Sequence, residues 1–489
     1  MIRSASRHFK GAVTYFLTLL LALAALSAAA ADLPKPVQQA LRASGVPQSA
    51  VSAVVQELGG RPLLSVNAQA ALNPASTMKL VTTYAALELL GPAYRWKTEV
   101  YLDGDNLVLR GNGDPKLNYE SFWMLLRSLR GRGLREIRGD VVLDRSYFAQ
   151  AHYDPFDTDG FRPYNVAPDA LLVNFKALRF TFIPEPERGV RVFAEPALPG
   201  LEIVNSLKLG EGSCPDGGRA FRDLVQASFQ SRPPRASFAG VYPASCGERD
   251  MNVALHQPED YVAGMIRQLW SELGGSWNGA VRDGTASPAA RLVYVHESEP
   301  LSEIVHDINK FSNNVMARQL YLTLAAELAG PPAVGDNAAR AIRQWMEGKK
   351  IQAAELVLEN GSGLSRVERL SAASLNALLQ AAWRSAVMPE FVSSLPLVAV
   401  DGTMRKRLRG ERIAGHAHIK TGLLSDARAI AGYVLDRNGR RHTVVMIVNH
   451  PRAPEADAAM DALLAWVYDS PTAPARAISN RPGASPQRP

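Results

Sequence analysis

Apolar and polar positions along the chain fall into two textures that alternate. From Pro74 to Leu90 the pattern is that of one helix. Asn73 is a suitable N-cap, Pro74 stands where proline is tolerated at the first helical position, and Gly91-Pro92 stops the run. From Trp96 to about Arg291 the texture changes to short β-like runs broken by glycine and proline, such as Leu107–Arg110 and Gly139–Leu143. Mixed strand and helix returns between Arg291 and Leu328, with a helical apolar pattern over Asn314 to Glu327. Three more β-like runs follow, at His416–Lys420, Ala429–Leu435 and His442–Val448. The last two are joined by Asp436-Arg437-Asn438-Gly439, an Asn-Gly hairpin signal. An amphipathic helix over Pro454–Tyr468 is placed to cover this sheet. The pattern predicts an α/β body interrupted by a long β-rich insertion, with no internal repeat.

The two ends do not belong to that body. Arg3, Arg7 and Lys10 precede an apolar stretch from Ala12 to Leu26, and Ala28–Ala31 supply a small-residue cleavage site before Asp32. This is the anatomy of a secretory signal peptide. The alternative, an uncleaved membrane anchor, asks for a longer apolar run. No later run reaches spanning length, so the mature protein is expected to be soluble outside the cytoplasm, without a stable membrane span. The tail after Asp469 holds five prolines beyond Ser470 and three arginines, and reads as disordered.

Charge sharpens this picture. The chain of 489 residues carries a net +7, but leader and tail contribute three positive charges each and no acid, leaving +1 for the body. No basic run with interleaved aromatics occurs there, so nucleic acid is not an expected partner. Cys214 and Cys246 are the only two cysteines; in an oxidising compartment they are expected to pair, the alternative being two free thiols. The nine histidines show no metal-ligand spacing, and neither metal nor cofactor is expected.

Three short patterns carry candidate chemistry: Ser76-Thr77-Met78-Lys79, Ser312-Asn313-Asn314 and Lys420-Thr421-Gly422. Spacing of three on a helix puts Ser76 and Lys79 on one face. Ser76 sits in the first turn, where backbone N–H groups lack intrahelical partners and can stabilise a developing oxyanion. A serine hydroxyl needs a base, and burial next to a second cation such as Lys420 favours the neutral amine of Lys79. The plainer reading makes Ser76 a helix-start residue and Lys79 a solvated side chain. Ser312 is either a proton relay or a helix N-cap, and Asn314 either holds a substrate amide or merely begins a helix. Lys420-Thr421-Gly422 ends a strand along which a peptide can add by main-chain hydrogen bonds, with Gly422 permitting close approach; a surface strand end is the plain alternative. Gly111–Asp114 reads as turns, and Ser362 in Gly361-Ser362-Gly363 lacks the spacing and partners of a hydrolase elbow.

The ordered set resembles the signature of penicillin-binding proteins and serine β-lactamases. The wider stretches Pro74–Leu80, Gly111–Pro115, Gly139–Phe148, Asn309–Asn314, Asn360–Ser365 and Asp401–Thr403 resemble the D-Ala-D-Ala carboxypeptidase/endopeptidase family, the low-molecular-mass class C penicillin-binding proteins, over roughly Asp32 to Tyr468. The resemblance implies a transpeptidase/β-lactamase-like domain, an antiparallel sheet flanked by helices, formed by 32–95 and 291–470. It is split by the inserted segment 96–290, between a leader (1–31) and a tail (471–489). The two serines of the first and second motifs lie 236 positions apart, far more than a compact β-lactamase needs. The resemblance also implies Ser76 as acylated nucleophile, Lys79 as proton acceptor, and Ser312 with Asn314 as second motif. Lys420, Thr421 and Gly422 become the substrate strand, and Asp144 a contact for the amino end of a stem-peptide side chain. Peptidoglycan peptides and β-lactam antibiotics are the expected partners. One departure stands out: Leu423 occupies a position that usually carries Thr or Ser, so a carboxylate-binding hydroxyl is missing while its backbone N–H remains available for an oxyanion hole. A β-lactamase and a silent wall-binding protein are the rival readings; nitrocefin turnover and stoichiometric penicillin labelling separate them.

Overall fold

The computed structural model describes residues 32–149, 156–157 and 160–470; the leader and the tail lie outside the described residues. At its centre is a five-stranded antiparallel sheet. In chain order its strands are β1 (Val51–Glu57), β2 (Pro62–Val66), β3 (Ala417–Leu423), β4 (Ala427–Leu435) and β5 (Arg441–Asn449), arranged β3-β4-β5-β1-β2. Both chain halves thus share one sheet: β1 pairs with β5 from Val51↔Val448 to Glu57↔His442. Seven consecutive residues of β5 are buried, which requires cover on both faces. The alternation sorts them. Val444, Met446 and Val448 face one core with α1 (Lys35–Ser44) and α6 (Asp457–Asp469). Val445 and Ile447 face the other, with α2 (Lys79–Leu89), α4 (Asn314–Ala329) and α5 (Ala372–Trp383). A one-residue slip would exchange these sets, so the register is firmly held.

α2 runs through the middle of the second core. Every residue from Lys79 to Leu87 is buried, so this helix has no polar face to turn to water. It is joined by α3 (Leu301–Phe311), which leads into α4.

The chain between the two halves builds sheets of its own. Strands Val281–Asp283, Val141–Asp144, Asn106–Gly111, Lys97–Asp103 and Arg291–Glu297 form one sheet in that order, parallel at its first two pairings and antiparallel at the others. Two three-stranded sheets lie between, centred on Leu178–Glu185 and Pro234–Pro243. Their core is rich in aromatics: Phe182 meets Phe238 edge-on at 5.0 Å and Phe221 at 5.4 Å. Cys214 and Cys246 are joined by a disulfide, and both sulfurs belong to residues packed on this core. The segment docks on α4. Gln319 exchanges hydrogen bonds with Asp169, its Nε2 donating to the carbonyl at 2.8 Å and its Oε1 accepting from the amide at 2.9 Å, and Trp96 Nε1 donates to Thr323 Oγ1 at 2.8 Å. Among the described residues no helix is long and apolar enough to cross a membrane.

Candidate active site

Ser76 and Lys79 sit where a tight turn becomes α2. The expected single helix from Pro74 is instead a 3₁₀ turn, Ala75–Met78, followed by the α-helix. The cause is Ala75, whose φ of 45° is left-handed. Such a residue costs on the order of 1–2 kcal/mol and persists only where its surroundings over-determine it. Here they do. Asn73 Oδ1 accepts the Ala75 N–H at 2.9 Å, and Asn73 Nδ2 donates to the Ser365 carbonyl at 2.8 Å. The Ala75 carbonyl presses on Gly363 so closely that a Cβ there would lie 1.9 Å from the oxygen. Gly363 is therefore required for the Ser76 turn to seat.

Lys79 is fully buried, so the solvated reading does not hold. Its Nζ lies 3.0 Å from Ser76 Oγ, 2.6 Å from Asn314 Oδ1 and 2.5 Å from the Ser362 carbonyl. Burial holds its amine well below the ordinary lysine range, and the Lys420 and Arg318 cations push the same way, against the Glu368 carboxylate.

The second motif bridges the two lysines. Ser312 is no N-cap: it ends α3 with a left-handed φ of 57°, and Asn313 caps α4, its side chain accepting the Met316 N–H at 3.1 Å. That break lets Ser312 Oγ accept from Lys420 Nζ at 2.8 Å while Asn314, one turn-position on, meets Lys79. Lys420 is also fully buried, which pushes its pKa down to about 7. Its Nζ donates further to the Thr421 carbonyl at 2.8 Å. On β3, Gly422 lies where a Cβ would approach the Pro74 carbonyl to 2.8 Å, so glycine lets the Ser76 turn rest on the strand. β3 is an edge strand. Leu423, at its end, is 62% exposed.

Ser76, Lys79, Ser312, Asn314 and Lys420 thus form one hydrogen-bonded group, with Thr421 and Gly422 beside it. Asp144 does not join it. Its carboxylate is buried and committed to Ser146, accepting from Oγ at 2.6 Å and from the backbone N–H at 3.1 Å, with Arg110 at 3.9 Å.

Sequence reasoning missed the loop that completes the lysine's surroundings. Ser362 acts through its carbonyl, and its side chain is spent on Asn360. The loop is held by Glu368, wholly buried. Its Oε1 accepts from the N–H groups of Glu359, Asn360 and Gly361, and its Oε2 from Gly363, all at 2.9–3.1 Å. The resemblance of Asn360–Ser365 was the available signal, but a carbonyl's role is invisible in residue identity. A cavity of about 810 Å³ opens beside this loop, lined by Arg145, Asp169, Arg318, Tyr321, Leu364 and Arg366 among others.

A serine paired with a buried lysine, facing a second serine–lysine pair at a partly open sheet edge, is equipped for acyl transfer from a peptide carbonyl. Comparison with known proteins agrees. Residues 33–467 match the model of the D-Ala-D-Ala carboxypeptidase 3 (S13) family. The chain is 28% identical over 436 residues to the D-alanyl-D-alanine carboxypeptidase of Actinomadura sp. (strain R39), covering 84% of this chain and 79% of the relative. It is 23% identical over 389 residues to D-alanyl-D-alanine carboxypeptidase DacB of Haemophilus influenzae, covering 77% and 80%. The crystal structure of penicillin binding protein 4 (dacB) from H. influenzae superposes with a TM-score of 0.72 at 20% identity, over 88% of this chain and 99% of that one, and so shares the fold. A match running through all three motifs and nearly the whole described chain places this protein in the D-Ala-D-Ala carboxypeptidase 3 (S13) family.

Proposed function

We propose that this D-Ala-D-Ala carboxypeptidase works through an acyl-enzyme on Ser76, with Lys79 as the base. The observation that carries the proposal is the donor count at Lys79. A neutral amine has two hydrogens and one lone pair. The Asn314 Oδ1 and the Ser362 carbonyl accept both hydrogens, leaving the lone pair for the Ser76 hydroxyl 3.0 Å away. Ser76 Oγ attacks the carbonyl of the penultimate D-alanine and its proton passes to Lys79. The oxyanion meets the backbone N–H groups of Ser76 and Leu423. As the C–N bond breaks, the proton reaches the departing amine by way of Ser312, and water then releases the acyl group by the reverse path. Lys420 supplies the positive charge that attracts the substrate's terminal carboxylate, and Thr421 and Gly422 offer the strand edge to the peptide.

The cavity beside Leu364 and Arg366 has room for the stem peptide's side chain. Asp144, whose Oδ1 accepts from Ser146 and whose Oδ2 lies 3.9 Å from Arg110, is kept as the proposed contact for the amino end of that side chain. We read 32–95 with 291–470 as the catalytic unit and 96–290 as an inserted unit, exported behind the leader at 1–31. A structure of the H. influenzae neighbour holds a β-lactam; we expect β-lactams to acylate Ser76 here, and cross-linked peptides to be cut as well as terminal D-alanine released. Digestion of purified cell-wall fragments, with products identified by mass, tests the reading. Loss of D-alanine and resolution of cross-links, both blocked by prior penicillin labelling, are expected. Intact fragments would refute it.

A further inference from the structure

Position 423 leaves the carboxylate end of the site one hydroxyl short. A hydroxyl arrives there from a different part of the chain. Thr403 Oγ1 lies 2.8 Å from Thr421 Oγ1, on the exposed side of β3. The turn that carries it, Gly402–Met404, is held on three sides. Lys310, 6% exposed at the end of α3, bonds Asp401 Oδ2 through Nζ at 2.6 Å. Asp401 Oδ1 accepts the Leu397 N–H at 2.7 Å. Gly402, with φ of 54°, packs so tightly that a Cβ would stand 2.6 Å from the Lys310 carbonyl. Met404 anchors the far side in the core beneath the sheet.

The same segment decides which part of the strand edge is free. The Ile419 N–H bonds the Pro396 carbonyl at 2.8 Å and the Val398 N–H bonds the Ala417 carbonyl at 2.9 Å, so the first half of β3 is already paired. The open half begins at Lys420, and Thr403 stands beside it.

Two hydroxyls 2.8 Å apart share one hydrogen between them and leave the other free to donate outward. A carboxylate accepts only, so it suits that free hydrogen and the ammonium of Lys420, which donates to the Thr421 carbonyl at 2.8 Å. We propose that Thr403 completes the subsite for the free carboxylate of the departing residue, taking with Thr421 the part that Leu423 cannot play. This makes Thr403 a specificity-determining residue, and the assignment rests on the acyl-enzyme reading above. The clamp by Lys310 and Asp401 explains why an exposed threonine keeps one position.

Two thioesters of one acyl-D-alanine test the proposal, the first with thioglycolate as leaving group and the second with its methyl ester, which lacks the carboxylate. The wild type should prefer the first. In Thr403→Val, which preserves shape, the loss should fall on the carboxylate-bearing thioester. The ratio of kcat/KM values should drop roughly 10- to 100-fold, mostly through KM, as expected for a hydrogen bond to a charged group. Thr403→Ser should restore the preference. Equal losses on both thioesters, or an unchanged ratio, would overturn the subsite while leaving the nucleophile assignment standing. Unchanged turnover in Ser76→Ala would instead remove the acyl-enzyme reading and this inference with it.

Discussion

The two halves of the molecule handle charge in opposite ways. Around α2, two lysines are fully buried and face serines and carbonyls, and neither has a carboxylate in hydrogen-bond contact. In the segment between the halves the core is aromatic and aliphatic, and ion pairs such as Arg179 with Glu195 or Arg232 with Glu259 lie at the surface, where such pairs contribute little. Burying an ammonium without a counter-ion costs free energy that only a lowered pKa relieves. The contrast sets up two expectations: in the proposed mechanism α2 gives up stability to make a base, while the aromatic core of the segment between the halves holds that segment together. Substitutions at the first should change chemistry more than folding, and at the second folding more than chemistry.

Ser76→Ala gives the largest expected effect. Penicillin labelling and D-alanine release should fall by a factor on the order of 10⁴ or more, with the melting temperature nearly unmoved. Persistent labelling in that variant would break the comparison at its strongest point. The opposite pattern is expected when Cys214 and Cys246 are both replaced by serine. The bridge closes a separation of 32 positions, so its loss should lower unfolding stability by about 3–4 kcal/mol in the loop-entropy account. Acylation at 25 °C should change less than about twofold, since no residue of the hydrogen-bonded group lies in that core. A tenfold slower acylation would show that the inserted segment steers the site.

Smaller and sharper is the pH dependence of Lys420. Its pKa is pushed down to about 7, so its positive charge is present below that pH and lost as pH rises through it. The kcat/KM for substrates ending in a carboxylate should therefore decline above about pH 7. Lys420→Arg keeps a charge that does not titrate in this range, so the declining limb should move up by at least about one pH unit. An unmoved limb would assign the decline to another group.

Much of this was legible in the chain itself. The runs at 429–435 and 442–448 lie within the observed strands Ala427–Leu435 and Arg441–Asn449, because doubly buried strands read as near-continuous apolar runs around a hairpin turn. The β-like texture between Trp96 and Arg291 conceals the helices Tyr119–Gly131 and Pro258–Glu272, which are amphipathic and lie between strands. Boundaries failed where tertiary contacts override local preference. Ala75 takes a left-handed conformation because Asn73 and Gly363 hold it, and in Ser312-Asn313-Asn314 three successive residues that can all cap helices leave the true cap, Asn313, unmarked. The site's side chains could be named from motifs. Its supporting groups could not, since Ser362 acts through a backbone carbonyl and Glu368 through backbone N–H groups. Thr403 meets Thr421 only because Lys310, 91 positions before Asp401, fixes the intervening turn.

In the proposed mechanism acylation turns on the protonation state of Lys79. Its side-chain Cε resonance can be followed with pH in enzyme labelled with ¹³C-lysine, assigned by its disappearance in Lys79→Arg. A titration midpoint well below the ordinary lysine range is the predicted result. An ammonium that persists to pH 10 would contradict the account, because Ser76 would then have no base beside it.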